Sequence, residues 1–160
     1  MGGAVYWTRL NAGAGVVKGW LVSSSGSYVV HPIGWVESPL TDPDLAPLQG
    51  DEGSPDALMV FNEEVSAGLR DLHAGTEVLV LTWLDRARRD VLTVHPRGDR
   101  RRPEAGVFST RSPDRPNPIG LHRVTILSVD GTRLRVQNLE ALNGTPIVDV
   151  KPVLGDRTER

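Results

Sequence analysis

The stretch Arg123–Leu139, RVTILSVDGTRLRVQNL, constrains this chain more than any other. Asp130-Gly131 supplies a tight turn, and the arm after it sets Arg133, Arg135 and Gln137 against Leu134, Val136 and Asn138. Alternation with period two puts one set of side chains on each face of a strand, so the stretch reads as an antiparallel hairpin with one face toward a core.

The rest of the chain is compatible with more strands of the same kind. Tyr28 to Val30 reads as a strand, broken at Pro32 and followed by a second extended piece through Val36. LMVF (Leu58–Phe61) is a short strand, and TEVLVLTWL is β-branched and apolar enough to be a buried one. DVLTVHP follows the DRARRD turn and predicts a hairpin partner for it. Asn143-Gly144 marks a turn before a last strand in PIVDVKPV. One helix is expected: Asn62 can N-cap EEVSAGLRDL, where Val65, Leu69 and Leu72 recur at i, i+4 and i+7. Seven or so short strands with Gly and Pro turns and one short helix predict a mostly-β, single-domain barrel. No internal repeat is visible. No G-x-G-x-x-G follows a strand, so a Rossmann domain is not expected.

At 160 residues the chain is one domain with room for tails. Residues 1–27 are rich in Gly, Ala and Ser without a periodic apolar face; they read as an N-terminal tail, partly disordered. The domain is expected over 28–154, with a C-terminal tail at 155–160. Residues 38–57 carry Pro39, Pro43, Pro47 and Pro55 with Gly50 and Gly53, and a loop of that length is usually functional or disordered.

Composition removes several chemistries. With no cysteine there is no disulfide, thiolate zinc site or cysteine nucleophile. His31, His73, His95 and His122 lack paired spacing, so no metal is expected. P-loop and nucleophile-elbow patterns are missing. No apolar run approaches the roughly 20 residues of a membrane helix, and no secretory leader is seen, so a cytoplasmic location is expected. The net charge of −2 hides an asymmetry. From Glu37 to Glu77, ten acidic residues face Arg70 alone; from Arg86 to Arg123, ten arginines face four acidic residues. Such a segment is either a solvated face or the contact for a local anionic partner.

Within it, STRSPDRPNPIG (Ser109–Gly120) holds three prolines, which exclude helix and disfavour strand. Arg111 and Arg115 stand four apart on this stiff loop, with Asn117 between two prolines, a setting able to hold a carboxylate or phosphate at little entropic cost. Asp149 and Lys151 lie two apart, on one face of a strand. They are either a structural ion pair or part of a site.

These residues carry a resemblance. GVFSTRSPDRPNPIGL (Gly106–Leu121) is similar, almost letter for letter, to the G-V-F-[AS]-T-R-S-P-x-R-P-N-P-I-G-L hallmark of the TrmO (TsaA-like) family of S-adenosylmethionine-dependent tRNA methyltransferases. NGTPIVDVKP resembles its D-G-T-P-[VI]-[LV]-D-[IV]-K-P, with Asn143 for the usual Asp. PIGWVESP and PLQGDEG follow two further motifs, in the family's order, so the likeness covers about residues 28 to 154.

The resemblance implies a β-barrel-like fold and S-adenosyl-L-methionine as cofactor. It implies a cofactor pocket of Pro47, Leu48, Gln49, Leu84, Asp85, Arg111, Leu121, Gln137, Asn138, Leu139 and Glu140, with Leu121 and Leu139 against the adenine. The implied reaction methylates N6 of threonylcarbamoyladenosine beside the tRNA anticodon, in a homodimer. Arg100, Arg101, Arg102, Arg115, Asn117 and Lys151 would contact the tRNA, and Asp149 is the candidate base. The chain departs from the family at Leu48, where arginine is usual, and at Asp85, where histidine is frequent. Both changes make the pocket less cationic. They leave open a methyltransferase for a small metabolite, or a non-catalytic cofactor-binding barrel.

Overall fold

Strand β8 (Ile119–Asp130) spans twelve residues and serves two neighbours. Its first half pairs with β5 (Glu77–Trp83) and its second with β9 (Arg133–Gln137), with a register shift between Ile126 and Ser128. A bulge of this kind bends a strand and increases its twist, which a closing sheet requires. The computed structural model describes residues 5–8 and 27–154, in two units, 1–32 and 33–160.

In the second unit six strands close into an antiparallel barrel, ordered β10-β3-β4-β9-β8-β5. Here β3 is Gly34–Glu37, β4 is Ala57–Phe61 and β10 is Pro146–Pro152. Closure comes from β10, which pairs with β3 at Pro146 and Ile147 and with β5 from Ile147 to Pro152, shifting register between Ile147 and Asp149. The mostly-β barrel expectation holds.

The inward residues are those the alternation selects. Val78 and Val80 from β5, Val124 and Ile126 from β8, Leu134 and Val136 from β9 are fully or almost fully buried, with Val36, Met59 and Ile147 from the facing strands. Each such side chain contributes about 1.5–3 kcal/mol of transfer free energy, an upper figure before chain entropy is counted. Outward positions of the same strands hold ion pairs: Arg133 with Glu37 and Arg123 with Glu77 across strands, and Arg135 with Asp56, which immediately precedes β4.

Three local expectations are corrected. The expected helix is a 3-10 helix, Glu63–Leu69, with i to i+3 bonds flanking it such as Val65 N–H to Asn62 O (3.1 Å). Gly68 and β-branched Val65 weaken an α-helix this short. Leu69 is still buried in the core, with Val65 and Leu72 packed against it. The hairpin loop is Gly131-Thr132, with Asp130 paired to Arg133 and Gly131 at φ +56°, the glycine-first order of a II′ turn. DVLTVHP does not pair with β5. Only Thr93–Val94 (β6) is strand, and it pairs with Ala105–Gly106 (β7), because β10 already occupies that edge of β5.

In the first unit Val5–Thr8 (β1) pairs antiparallel with Ser27–Val30 (β2), Val5 opposite Val30. VYWT is β-branched and aromatic, which suits a strand. The expected tail covers these residues; its positions 1–4 and 9–26, and the tail at 155–160, lie outside the described residues.

Candidate cofactor pocket

The proline-rich segment that cannot be helix is held by its own arginine. Arg115 donates from Nε to the Ser112 carbonyl (2.8 Å) and from Nη2 to those of Thr110 (2.6 Å) and Val107 (3.0 Å). Carbonyls that the prolines leave without N–H partners along the loop thereby gain a charged donor. Asp114 Oδ1 accepts from the Arg88 N–H (2.9 Å), and Arg115 N–H donates to Arg88 O (3.0 Å), tying the loop to residues that follow β5. The Leu84 N–H donates to Pro118 O (2.8 Å) and joins it to the end of β5.

A cavity of about 670 Å³ opens beside this loop. Its walls come from the 43–49 loop, from Leu84 to Ala87 after β5, from Arg111 to Arg115, from the start of β8 and from Glu140 to Leu142 with Thr145. Pockets for drug-sized ligands span roughly 300–1,000 Å³. Of the residues expected to hold the cofactor, Pro47, Leu48, Gln49, Leu84, Asp85, Arg111, Leu121 and Glu140 line it. Arg111 Nη1 makes a long bond to Leu121 O (3.3 Å).

Gln137, Asn138 and Leu139 do not line it. Leu139 is fully buried in the barrel core and so is a packing residue, a correction to its expected place against an adenine ring. Asn138 adopts φ +65°, which turns the chain after β9, and its carbonyl lies under Gly50. Gln137 is the half-buried last residue of β9.

The expected base is also displaced. Asp149 sits on β10 outside the cavity, Oδ2 2.7 Å from Lys151 Nζ and Oδ1 accepting from the Val150 N–H (2.9 Å). Asp149 and Lys151 thus form an ion pair on β10. Arg115 lines the cavity, but the donors described above go to backbone carbonyls. Asn117 lies outside the lining and accepts from the Ile119 N–H (2.8 Å). Arg100, Arg101 and Arg102 lie in the loop between β6 and β7, away from the lining. His95 Nδ1 donates to Arg102 O (2.8 Å), and Asp99 takes both Nε and Nη2 of Arg101 (2.8 and 3.0 Å). That interaction holds the half-buried Asp99 carboxyl below its ordinary range and raises Arg101.

One feature of the site carries no signal in motif spacing. His122 is buried, with Nε2 2.9 Å from Thr82 Oγ1 and Nδ1 2.8 Å from Glu140 Oε1, the latter approach too oblique for an aligned hydrogen bond. The signal available in the sequence is positional: Gly120, His122, Val124 and Ile126 fall on the inward face of β8. Among the described residues no group of three or more His, Cys, Asp or Glu could hold a metal, and no helix is long and apolar enough to cross a membrane.

Residues 35–157 match the family described as the tRNA-methyltransferase O N-terminal domain. A "probable S-adenosyl-L-methionine-binding protein" of Archaeoglobus fulgidus is 47% identical over 123 residues, covering 77% of this chain and 33% of that protein. An "S-adenosyl-L-methionine-binding protein" of the same organism is 43% identical over 77% of this chain and 87% of its own length. The crystal structure of TrmO from Pseudomonas aeruginosa superposes with a TM-score of 0.58 at 25% identity, covering 81% of this chain and 58% of that one. The chain thus spans a third of the first of these relatives and little over half of the solved TrmO.

Proposed function

Because the chain belongs to the family of the tRNA-methyltransferase O N-terminal domain, we propose that it is an S-adenosylmethionine-dependent methyltransferase whose cofactor occupies the cavity beside the proline-rich loop. One observation carries the reading. Eight residues from five separate stretches, each implied by the resemblance to hold the cofactor, line a single cavity of about 670 Å³.

The chemistry of that lining suits the group. Leu48, Leu84 and Leu121 offer apolar surface to a purine, Arg111 offers a donor fork for a carboxylate, and Glu140 offers an acceptor. Gly120 keeps the wall open: a Cβ there would stand 2.3 Å from Thr82 Oγ1. When bound, S-adenosylmethionine supplies a methyl group already activated by the sulfonium. The protein's own work is then orientation. Leu84 and Arg111 sit on segments locked by the Arg115 fork and the Leu84–Pro118 bond, so little freedom remains to be lost on binding.

The substrate in this reading is N6 of threonylcarbamoyladenosine beside a tRNA anticodon, in the cytoplasm, with the exposed Arg100–Arg102 loop on the nucleic-acid backbone. A homodimer belongs to the same reading; exposed Phe108 and Leu92 offer apolar surface to a second copy. Leu48 and Asp85, both in the lining, favour a second reading in which a small metabolite is methylated, since each makes the cavity less cationic.

Calorimetry with S-adenosylmethionine tests the first step, with saturable binding expected. Mass spectrometry of tRNA from a strain lacking the gene tests the second. Loss of the methylated nucleoside is expected, and an unchanged tRNA with intact cofactor binding would transfer the assignment to the metabolite.

A further inference from the structure

His122 lies in the wall of the cavity, yet the proposed reaction gives it no task. It is 5% exposed. Strand register explains how it meets its neighbours: Thr82 of β5 stands opposite Gly120 of β8, and His122 follows two residues on, on the same inward side. Gly120 leaves the room for that meeting, because a Cβ there would come within 2.6 Å of His122 Nε2 as well as striking Thr82.

The roles within the trio follow from donor and acceptor chemistry. An unprotonated Nδ1 would set its lone pair against the Glu140 carboxylate at 2.8 Å, so the proton sits on Nδ1, and the contact is a close charge–dipole approach, not an aligned hydrogen bond. Nε2 is then left to accept the Thr82 hydroxyl at 2.9 Å. On its other side Glu140 is bounded by the 47–50 loop, where a Cβ on Gly50 would stand 3.1 Å from Oε2. A flexible side chain is thus bracketed between a buried imidazole and a loop backbone, while it lines the cavity.

We propose that His122, backed by Thr82, is a positioning residue that fixes the Glu140 carboxylate as an acceptor for a hydrogen-bond donor of the cofactor. This rests on the reading that the cavity binds S-adenosylmethionine. A glutamate free to rotate loses rotamer freedom each time it engages a ligand, whereas one already held does not. A histidine that merely fills the core would affect binding equally whatever stands at position 140.

The test is a double-mutant cycle read by calorimetry with S-adenosylmethionine, on native protein, His122→Phe, Thr82→Val, Glu140→Gln and the two double variants, each checked by thermal melting. Glu140→Gln keeps an acceptor, so binding stays measurable. His122→Phe should weaken binding roughly tenfold in the native background and less than about twofold beside Glu140→Gln, since residues that act through one another are not additive. Thr82→Val should show the same pattern with a smaller loss, and decides the matter alone if His122→Phe does not fold. His122→Gln, whose amide can still donate, should retain affinity within about threefold of native. Equal losses in both backgrounds, or no loss in the native one, overturn the proposal while leaving the cofactor reading intact. Native protein that fails to bind S-adenosylmethionine overturns the cofactor reading itself, and this inference with it.

Discussion

Gly50 is pressed against Asn138: a Cβ on the glycine would stand 2.1 Å from the Asn138 carbonyl oxygen and 2.8 Å from its carbonyl carbon. Two loops far apart in sequence therefore meet backbone to backbone, one carrying Pro47, Leu48 and Gln49, the other leading into Glu140. The contact sets the spacing of two walls of the cavity.

Gly50→Ala should accordingly weaken S-adenosylmethionine binding by about tenfold or more, because neither backbone can yield without moving a wall. Gly106→Ala is the control. A Cβ at Gly106 meets nothing within 4 Å, so that change should leave affinity alone and raise stability by about 0.4–1 kcal/mol. Calorimetry and melting curves on the two variants check this. Equal affinities would show that the loops are not held by this contact.

Arg115 and Arg111, four residues apart, should separate stability from binding. Arg115 is spent on the Val107, Thr110 and Ser112 carbonyls, so Arg115→Ala should cost about 2–3 kcal/mol and lower Tm by several degrees. Arg115→Lys should not restore it, since an ammonium cannot reproduce the fork. Arg111 makes one long bond to Leu121 O, so Arg111→Ala should melt near the native temperature and lose affinity by roughly tenfold. Matching losses of Tm in both variants would contradict this division.

The contrast shows what could be read from residue order and what could not. The Arg123–Leu139 hairpin is legible because its turn, alternation and partner lie within seventeen residues. The partner of β5 is not, because β10 reaches it from far along the chain, and local pattern favoured the nearer DVLTVHP. The family resemblance implies that the motif-bearing segments share a pocket, and eight of the eleven implied residues line one cavity, yet a motif marks a segment and not a facing direction. Hence Leu139 belongs to the core, and Asp149 spends its charge on Lys151. His122 went unread because it has no partner at a recognisable spacing; its partners, Thr82 and Glu140, come from other elements.

Acid should act first on the arginine-rich surface. The hydrogen bonds from Arg88 hold the Asp90 carboxyl below its ordinary value of 3.8, and Arg101 does the same for Asp99. A carboxyl lowered in the folded state adds stability that is present above the unfolded value and is lost as pH falls through the folded one. Asp90 is exposed and Asp99 half-buried at the surface, so the contribution is small and screened by salt. Carboxyl-carbon NMR titration should put both midpoints below 3.8. Arg88→Ala should return that of Asp90, but not Asp99, toward 3.8. Midpoints that ignore the substitution would exclude the pairing.

The loop between β6 and β7 decides whether tRNA is the substrate. Arg101 and Arg102 both lean on Asp99, at 2.8 and 3.8 Å, while Arg100 is exposed beside them. If the loop contacts phosphates, changing all three arginines to alanine should flatten the slope of log affinity against log salt by up to about 2, at roughly 0.7 per contact on a single strand. Asp99→Asn should do the opposite, releasing two guanidinium groups and tightening tRNA binding about threefold at low salt. None of these residues lines the cavity, so S-adenosylmethionine binding should be unchanged in every variant. Filter binding over a salt series, with calorimetry alongside, reads both quantities. A triple variant with the native salt slope would remove this loop from the nucleic-acid surface. If it also turned over normally at every salt concentration, the small-metabolite reading would stand, with Leu48 and Asp85 as the residues that set the cavity's charge.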